Sequence, residues 1–429
     1  MTLRLWSSNR SPALSVSPIL MASIPQLRED LESLERAIER QKEVLKDLEK
    51  QRSDVQSELN SLIDPMARLP PEISSDILLK SLPMPPLWSS LLLLRLVCHA
   101  WSTLALATPS LWSTITDEGM PGSNFAGVVQ RWLGRAPGLP ISVILRDTSS
   151  AMLAVYKLEA LEAYAPQIQT LYLPTLHDGS IDVIARFNAL RFLTIQYAQL
   201  LSPNLLLALL RGLPNLVKLE TCNVKYSPML PMARHLTHRN LEYLHFGYLE
   251  GFIRFSETSI LPLLTLPALQ SLLISRDRIS QTDLHHFLVR SSPPLRYLGI
   301  QFREEDLRSP TIISCLGLIP ALTDLHILRP HSWSGVVQAL SLFELWATAP
   351  DLLPALENLS IQADAEPGTE LYARAVEFLG NRRSSLQSLR LIVPFVSQDS
   401  LQNDAVAALR VFRDEGVRVH IGTERMNFL

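Results

Sequence analysis

Cysteine is nearly missing from this chain. The three present in 429 residues, Cys98, Cys222 and Cys315, are far apart, odd in number and without metal-ligand spacing. That pattern excludes a disulfide or zinc framework and favours a reducing compartment, so the expected location is cytoplasmic, nuclear or both. An excess of either charge is missing too: 39 Lys and Arg against 42 Asp and Glu leave a formal net charge of −3. Such a balance provides no electrostatic footprint for nucleic acid. Long apolar runs are absent, because the stretch at 91–97 is interrupted by Arg95 and falls far short of the roughly twenty residues that span a membrane. Residues 1–20 hold no continuous apolar core before a small-residue cleavage site, so 1–23 reads as a disordered leader rather than a signal peptide.

Catalytic signatures are equally scarce. There is no G-x-x-x-x-G-K-[ST] phosphate loop, G-x-S-x-G elbow, H-E-x-x-H metal helix or G-x-G-x-x-G turn. His235 and His238 are three apart and His285 and His286 adjacent, without the Cys or carboxylate partners of a metal site. Glu304, Glu305 and Asp306 read as a solvated connection. The Asn358 sequon falls in an expected strand and is expected to be unglycosylated. The chain is therefore expected to be non-enzymatic, with no cofactor, metal or membrane partner.

What is present is apolar patterning. Hydrophobic residues make up 47% of the chain, enough for a sizeable core and more than one domain. Residues 24–63 contain no glycine and carry a near-heptad seam. Leu31, Ile38, Leu45 and Leu59 take the a positions, and Leu27, Leu34, Leu48, Val55 and Leu62 the d positions, interrupted by Gln41 and Arg52. The spacing suits either a weak homodimeric coiled coil or a single helix that folds back or stays exposed.

Residues 64–115 come next. Pro70 and Pro71 suit a first helical turn and Glu72 its positive end. Ile73, Ile77 and Leu78 follow at helical spacing until Pro83, Pro85 and Pro86 stop the helix. Leu94, Val97, Cys98, Trp101 and Leu104 form a second stripe, and a unit this small and apolar shares its core with something else. LPPEI at 69–73, the Ile77-Leu78 pair, LVCHAW at 96–101 and TPSLW at 108–112 together resemble an F-box, in the form abundant in mushroom-type fungi. Proteins of that kind often carry a helix like 24–63 ahead of it. The resemblance implies docking on a Skp-type adaptor, and through it a cullin, by Leu69, Pro70, Ile73, Ile77, Leu78, Val97, Cys98 and Trp101. An ordinary helical hairpin inside a larger domain is the alternative.

Beyond residue 150 an L-x-x-L-x-apolar template recurs: IQTLYL at 168, LRFLTI at 190, LVKLET at 216, LEYLHF at 241, LQSLLI at 269, LRYLGI at 295, LTDLHI at 322, LENLSI at 356 and LQSLRL at 386. Successive starts differ by 22, 26, 25, 28, 26, 27, 34 and 30 residues, mostly near the range of leucine-rich repeats, which the pattern resembles. NLLLALLRG at 204–212, TDLHHFLVR at 282–290 and LYARAVEFLG at 371–380 are suited to helices between strands. The family's Asn or Cys after the strand has no consistent counterpart, that place being Ala198 in one unit and Asp277 in another.

The expected fold is α/β: an N-terminal helix, a helical F-box, a linker at 116–139 and an irregular strand-helix solenoid over 140–429. A sheet with helices on both faces is the alternative, distinguished by longer apolar strands. Strand alternation turns Thr170, Phe192, Lys218, Tyr243, Ser271, Tyr297, Asp324, Asn358 and Ser388 into one column on the concave face. Tyr172, Thr194, Glu220, His245, Leu273, Gly299, His326, Ser360 and Arg390 form its neighbour. Phe192, Tyr243 and Tyr297 are the expected anchors for a protein substrate. The expected function is substrate recognition for a Skp-cullin-F-box ubiquitin ligase; a repeat scaffold outside any ligase is the alternative.

Overall fold

The computed structural model describes residues 18–83, 88–118, 124–148, 150–197, 203–222, 235–247, 260–274, 280–300, 310–328, 335–349, 351–363, 369–383, 385–393 and 404–429. It is a mixed α/β chain with a helical N-terminal region and a parallel sheet of twelve strands interleaved with helices; the sheet is open, not a barrel. The chain divides into two compact units. One comprises residues up to Ile77 together with Leu94–Leu104, and the other Leu78–Leu93 with Ala105–Leu429.

The first unit contains the helix Pro18–Ile63. It ends where the glycine-free segment was expected to end, but begins at Pro18, so the later part of the expected leader is helical; residues 1–17 lie outside the described residues. Asp64 then caps a short helix, Pro65–Arg68, through its Oδ1, which accepts the Met66 amide at 2.9 Å. The Pro70 carbonyl accepts the Ile73 and Ser74 amides as helix Pro71–Ser81 begins. The single second helix expected from the Leu94-to-Leu104 stripe is in fact two, Trp88–Val97 and His99–Ala107. Cys98 lies between them, its thiol donating to Asp64 Oδ2 at 3.5 Å.

In the second unit the twelve strands follow one another across the sheet in chain order, from Thr114–Thr116 and Ile141–Ile144 to Arg418–Gly422. The nine templates form the nine strands between. Two-residue strands Leu236–Thr237 and Leu264–Thr265 pair separately. Of the expected linker at 116–139, residues 119–123 lie outside the described residues, and much of the rest is regular structure. Thr116 closes the first strand, and Phe125–Leu133 is a helix with Val128, Val129, Trp132 and Leu133 in the core. The expected helices are Pro203–Gly212, Gln281–Ser291 and Thr369–Asn381, and the last packs on both Gly335–Thr348 and Asp404–Asp414.

Two features carry the register. The leucine and final apolar residue of each template point to one side and are nearly all buried, as at Leu171, Leu193, Leu219, Leu244, Leu272, Leu298, Leu325, Leu359 and Leu389. Slipping any strand by one residue would exchange them with the polar face. The second feature is in the backbone. The carbonyls of Arg191, Val217, Glu242, Gln270, Arg296, Thr323 and Glu357 each accept two consecutive amides from the next strand, using both lone pairs of the oxygen. A side-chain ladder does exist, but ahead of the strands: Asn215 donates to the Asn188 carbonyl and Asn240 to that of Pro214, each at 2.9 Å. Ala198 and Asp277 lie outside the described residues, as do Glu304, Glu305 and Asp306.

Arginines also join successive turns. The Arg290 guanidinium donates to the carbonyls of Leu261 and Leu264, and buried Arg382 to those of Leu352 and Leu353. Leu353 has a positive φ of 56°, uncommon for a branched side chain, and its carbonyl is held by Arg382 Nη1 at 2.6 Å.

Candidate functional site

Two surfaces gather the expected residues, one in each unit. In the first, Leu69, Pro70, Ile73, Ile77 and Val97 are exposed, Ile73 by 50%, whereas Cys98 and Trp101 are half-buried. Leu78 is corrected: it is fully buried and has no surface to offer. Helix geometry explains the error, since Ile73 and Ile77 share a face while Leu78 is turned about 100° from Ile77, onto the side of buried Ser74. Ser74 Oγ satisfies itself on the Met66 carbonyl at 2.9 Å. Leu96, 78% exposed beside Val97, was missed. Its signal was present in LLLLRLV, a run apolar on every side of its helix.

In the second unit, strand pairing reproduces both expected columns position by position. Phe192 pairs with Lys218, Lys218 with Tyr243, Tyr243 with Ser271, Ser271 with Tyr297, Tyr297 with Asp324 and Asp324 with Asn358. The last strand extends the columns by Arg418 and His420. Phe192 and Tyr243 are 36% and 37% exposed. Tyr297 is instead half-buried, its ring 4.9 Å from that of His326 and 6.2 Å from that of His245. This His-Tyr-His row is made possible by Gly299, where a Cβ would stand 2.2 Å from Leu273 Cδ1 and 3.2 Å from the Tyr297 hydroxyl.

Around the row, His245 Nε2 bonds Ser271 Oγ at 2.9 Å, Lys218 pairs with Glu220 at 2.9 Å, and Asp324 accepts from Asn358 at 2.8 Å. Burial pushes His245 below the ordinary histidine range, opposed by Glu220 and reinforced by Lys218. His326 is lowered in the same way, with Asp324 opposing and Arg390 reinforcing. Burial and Asp324 raise the Tyr297 hydroxyl. The arrangement is an amphipathic surface of partly buried rings flanked by paired charges. No group of three or more His, Cys, Asp and Glu able to hold a metal occurs among the described residues. Buried His238 bonds the Leu213 carbonyl at 2.9 Å, a structural role. Burial lifts the Cys315 thiol to about 11, which leaves it unreactive.

The sign of the histidine shifts gives a pH expectation. Below 6.5, the unperturbed value, the unfolded chain takes up protons that folded His245 and His326 resist. Their contribution is therefore complete above about pH 6.5 and declines as the pH falls toward their lower folded values. In urea titrations between pH 7 and 5, His245→Gln/His326→Gln should lose less stability on acidification than the native chain; equal slopes would contradict the assignment.

No helix among the described residues is long and apolar enough to cross a membrane. Compared with known proteins, the chain matches no family model and no curated protein.

Proposed function

We propose that this chain is a non-catalytic F-box protein of the fungal F-box/leucine-rich-repeat type. Residues 64–115 dock a Skp-type adaptor and, through it, a cullin, and the repeats hold a protein substrate for ubiquitin transfer in the cytoplasm or nucleus. The observation that carries this reading is the apolar surface in the first unit, where Leu69, Ile73, Ile77, Leu96 and Val97 stand open. Apolar side chains at helical spacing, in a segment with the order of LPPEI, LVCHAW and TPSLW, suit a partner that covers them.

The solenoid reading is supported by strand order. Twelve parallel strands whose order across the sheet never reverses suit right-handed crossovers, the rule for parallel strands, which would put the helices on one face; a sheet covered on both faces needs a point where the order reverses. One face is then left for recognition, with Phe192, Tyr243 and the His245-Tyr297-His326 row across it.

Pull-down of the full chain from cells, scored for adaptor, cullin and co-purifying substrate, tests both surfaces together. Leu69→Ala/Pro70→Ala should abolish adaptor and cullin capture, since losing a central anchor costs about 2 kcal/mol or more, while substrate remains. Phe192→Ala/Tyr243→Ala should lose substrate, keep the adaptor, and shift stability by only about 0.5 kcal/mol per site. Adaptor without cullin would favour the scaffold outside a ligase. Undiminished adaptor capture by the first variant would refute the docking assignment.

A further inference from the structure

The helix Pro18–Ile63 leaves a whole apolar seam open. Leu31, Leu34, Ile38, Leu45, Leu48, Val55 and Leu59 are between 48% and 65% exposed. Together they offer on the order of 800 Å² per chain, about what one side of a stable protein pair buries. The two polar interruptions, Gln41 and Arg52, together with the charges beside the seam, select both the occupant and its direction.

In a parallel pair each seam residue meets its own copy. Arg52 would then face Arg52, and Asp30 would approach Glu35 of the other chain, with no opposite-charge pair in compensation. Antiparallel pairing matches an a residue of one chain with a d residue of the other. One alignment, in which paired residue numbers add to a constant, puts Leu45 against Leu48, Ile38 against Val55 and Leu34 against Leu59. The same alignment sets Arg52 against Gln41, so the two polar residues share a layer and every other layer named is apolar. It also brings Lys42 beside Glu49 of the second copy, twice by symmetry. Lys42 is mostly exposed and its present contact is an i,i+3 pair with Glu39 at 3.2 Å, which leaves it able to reach across.

We propose that two copies of this chain associate through residues 31–59 as an antiparallel coiled coil. Its symmetry point lies between Lys46 and Asp47, so the two Ile63 residues stand about 50 Å apart and the rest of each chain departs from an opposite end. The proposal is independent of adaptor docking, because it uses none of the residues from 64 onward.

The test uses full-length chains. Sedimentation equilibrium should show a monomer–dimer equilibrium, weakened about tenfold by Lys42→Glu, which sets like charges together twice, and restored by adding Glu49→Lys. In a parallel pair Lys42 lies near Ala37 and Glu49 near Val44, so the second change would restore nothing. Mild oxidation provides an orientation readout against the native chain as control. A mixture of Leu34→Cys and Leu59→Cys chains should form a disulfide-linked heterodimer, and neither variant alone should cross-link to itself. A monomer throughout the micromolar range, self-linking of Leu34→Cys, or no linking in the mixture would each overturn the proposal.

Discussion

Replacing Lys157 with methionine should destabilise the second unit by about 3–5 kcal/mol, the range observed when one member of a buried ion pair is removed. Lys157 Nζ lies 2.7 Å from Asp117 Oδ2, with 5% and 2% of the two side chains exposed. Each group has further partners. Nζ also donates to the Asp147 carbonyl at 2.6 Å, and the Asp117 carboxylate accepts the amides of Arg146 at 2.5 Å and Asp147 at 3.2 Å. The pair thus ties the chain after the first strand to the segment after the second and to helix Ala151–Ala160. Methionine fills the space but leaves the carboxylate dry and uncompensated. Adding Asp117→Asn removes that charge and keeps an amide oxygen for the backbone, so the double variant should recover more than half of the loss. Urea denaturation followed by circular dichroism would read both values; a cost below about 1 kcal/mol for Lys157→Met would show that water reaches the pair.

Trp112→Ala should be comparably damaging, at about 3–5 kcal/mol for a large aromatic removed from a packed interior. Trp112 is 1% exposed, meets Trp132 edge-on at 4.9 Å between ring centroids, and carries the Arg135 guanidinium over its face at 4.5 Å. Its indole N–H donates to the Ala105 carbonyl at 2.8 Å, while that of Trp132 donates to Thr114. The Trp132 indole thus occupies a carbonyl of the sheet's first strand, and edge strands with free backbone groups invite foreign strands. Trp112→Phe keeps most of the packing and loses the hydrogen bond, so thermal melting should place it between native and alanine. Equal melting temperatures for Trp112→Ala and native chain would mean that the Trp112–Trp132 contact adds nothing to stability.

The sheet was legible because its signal is redundant. Nine copies of one template fix which residues point inward, and the period of two then places both surface columns. Thr114–Thr116 was not legible, since three residues of TIT are too short a run for their alternation to signal a strand beside the pairing with Ile141–Ile144. Arg290, Arg382 and Lys157 were unreadable for another reason. A charge on or just after a helix reads as solvated, and the carbonyls that receive the two arginines and the carboxylate that receives Lys157 lie 26 to 40 residues away in sequence. At the apolar surface of the first unit the sequence merged two faces of one helix, which is how Leu78 joined Ile73 and Ile77. Tyr297 was identified in the correct column, but its company of His245 and His326 depends on Gly299, whose lack of a side chain gives no hint of what rests above it.

The repeated carbonyl that accepts two amides has a consequence for how this molecule can change over time. Seven turns of the sheet are held in register by oxygens and amides that every non-proline residue possesses, and by leucines on the far side. On the opposite face side chains join neighbouring strands in places, as at His245–Ser271 and Asp324–Asn358, but elsewhere the backbone carries the alignment. Phe192, Lys218, Tyr243 or Arg390 can be exchanged without asking the neighbouring turns to move, and a whole turn can be copied or dropped with its own donors and acceptors intact. The face behaves as a row of interchangeable letters on a fixed line, so a new text can be spelled one position at a time while the line itself stays in place.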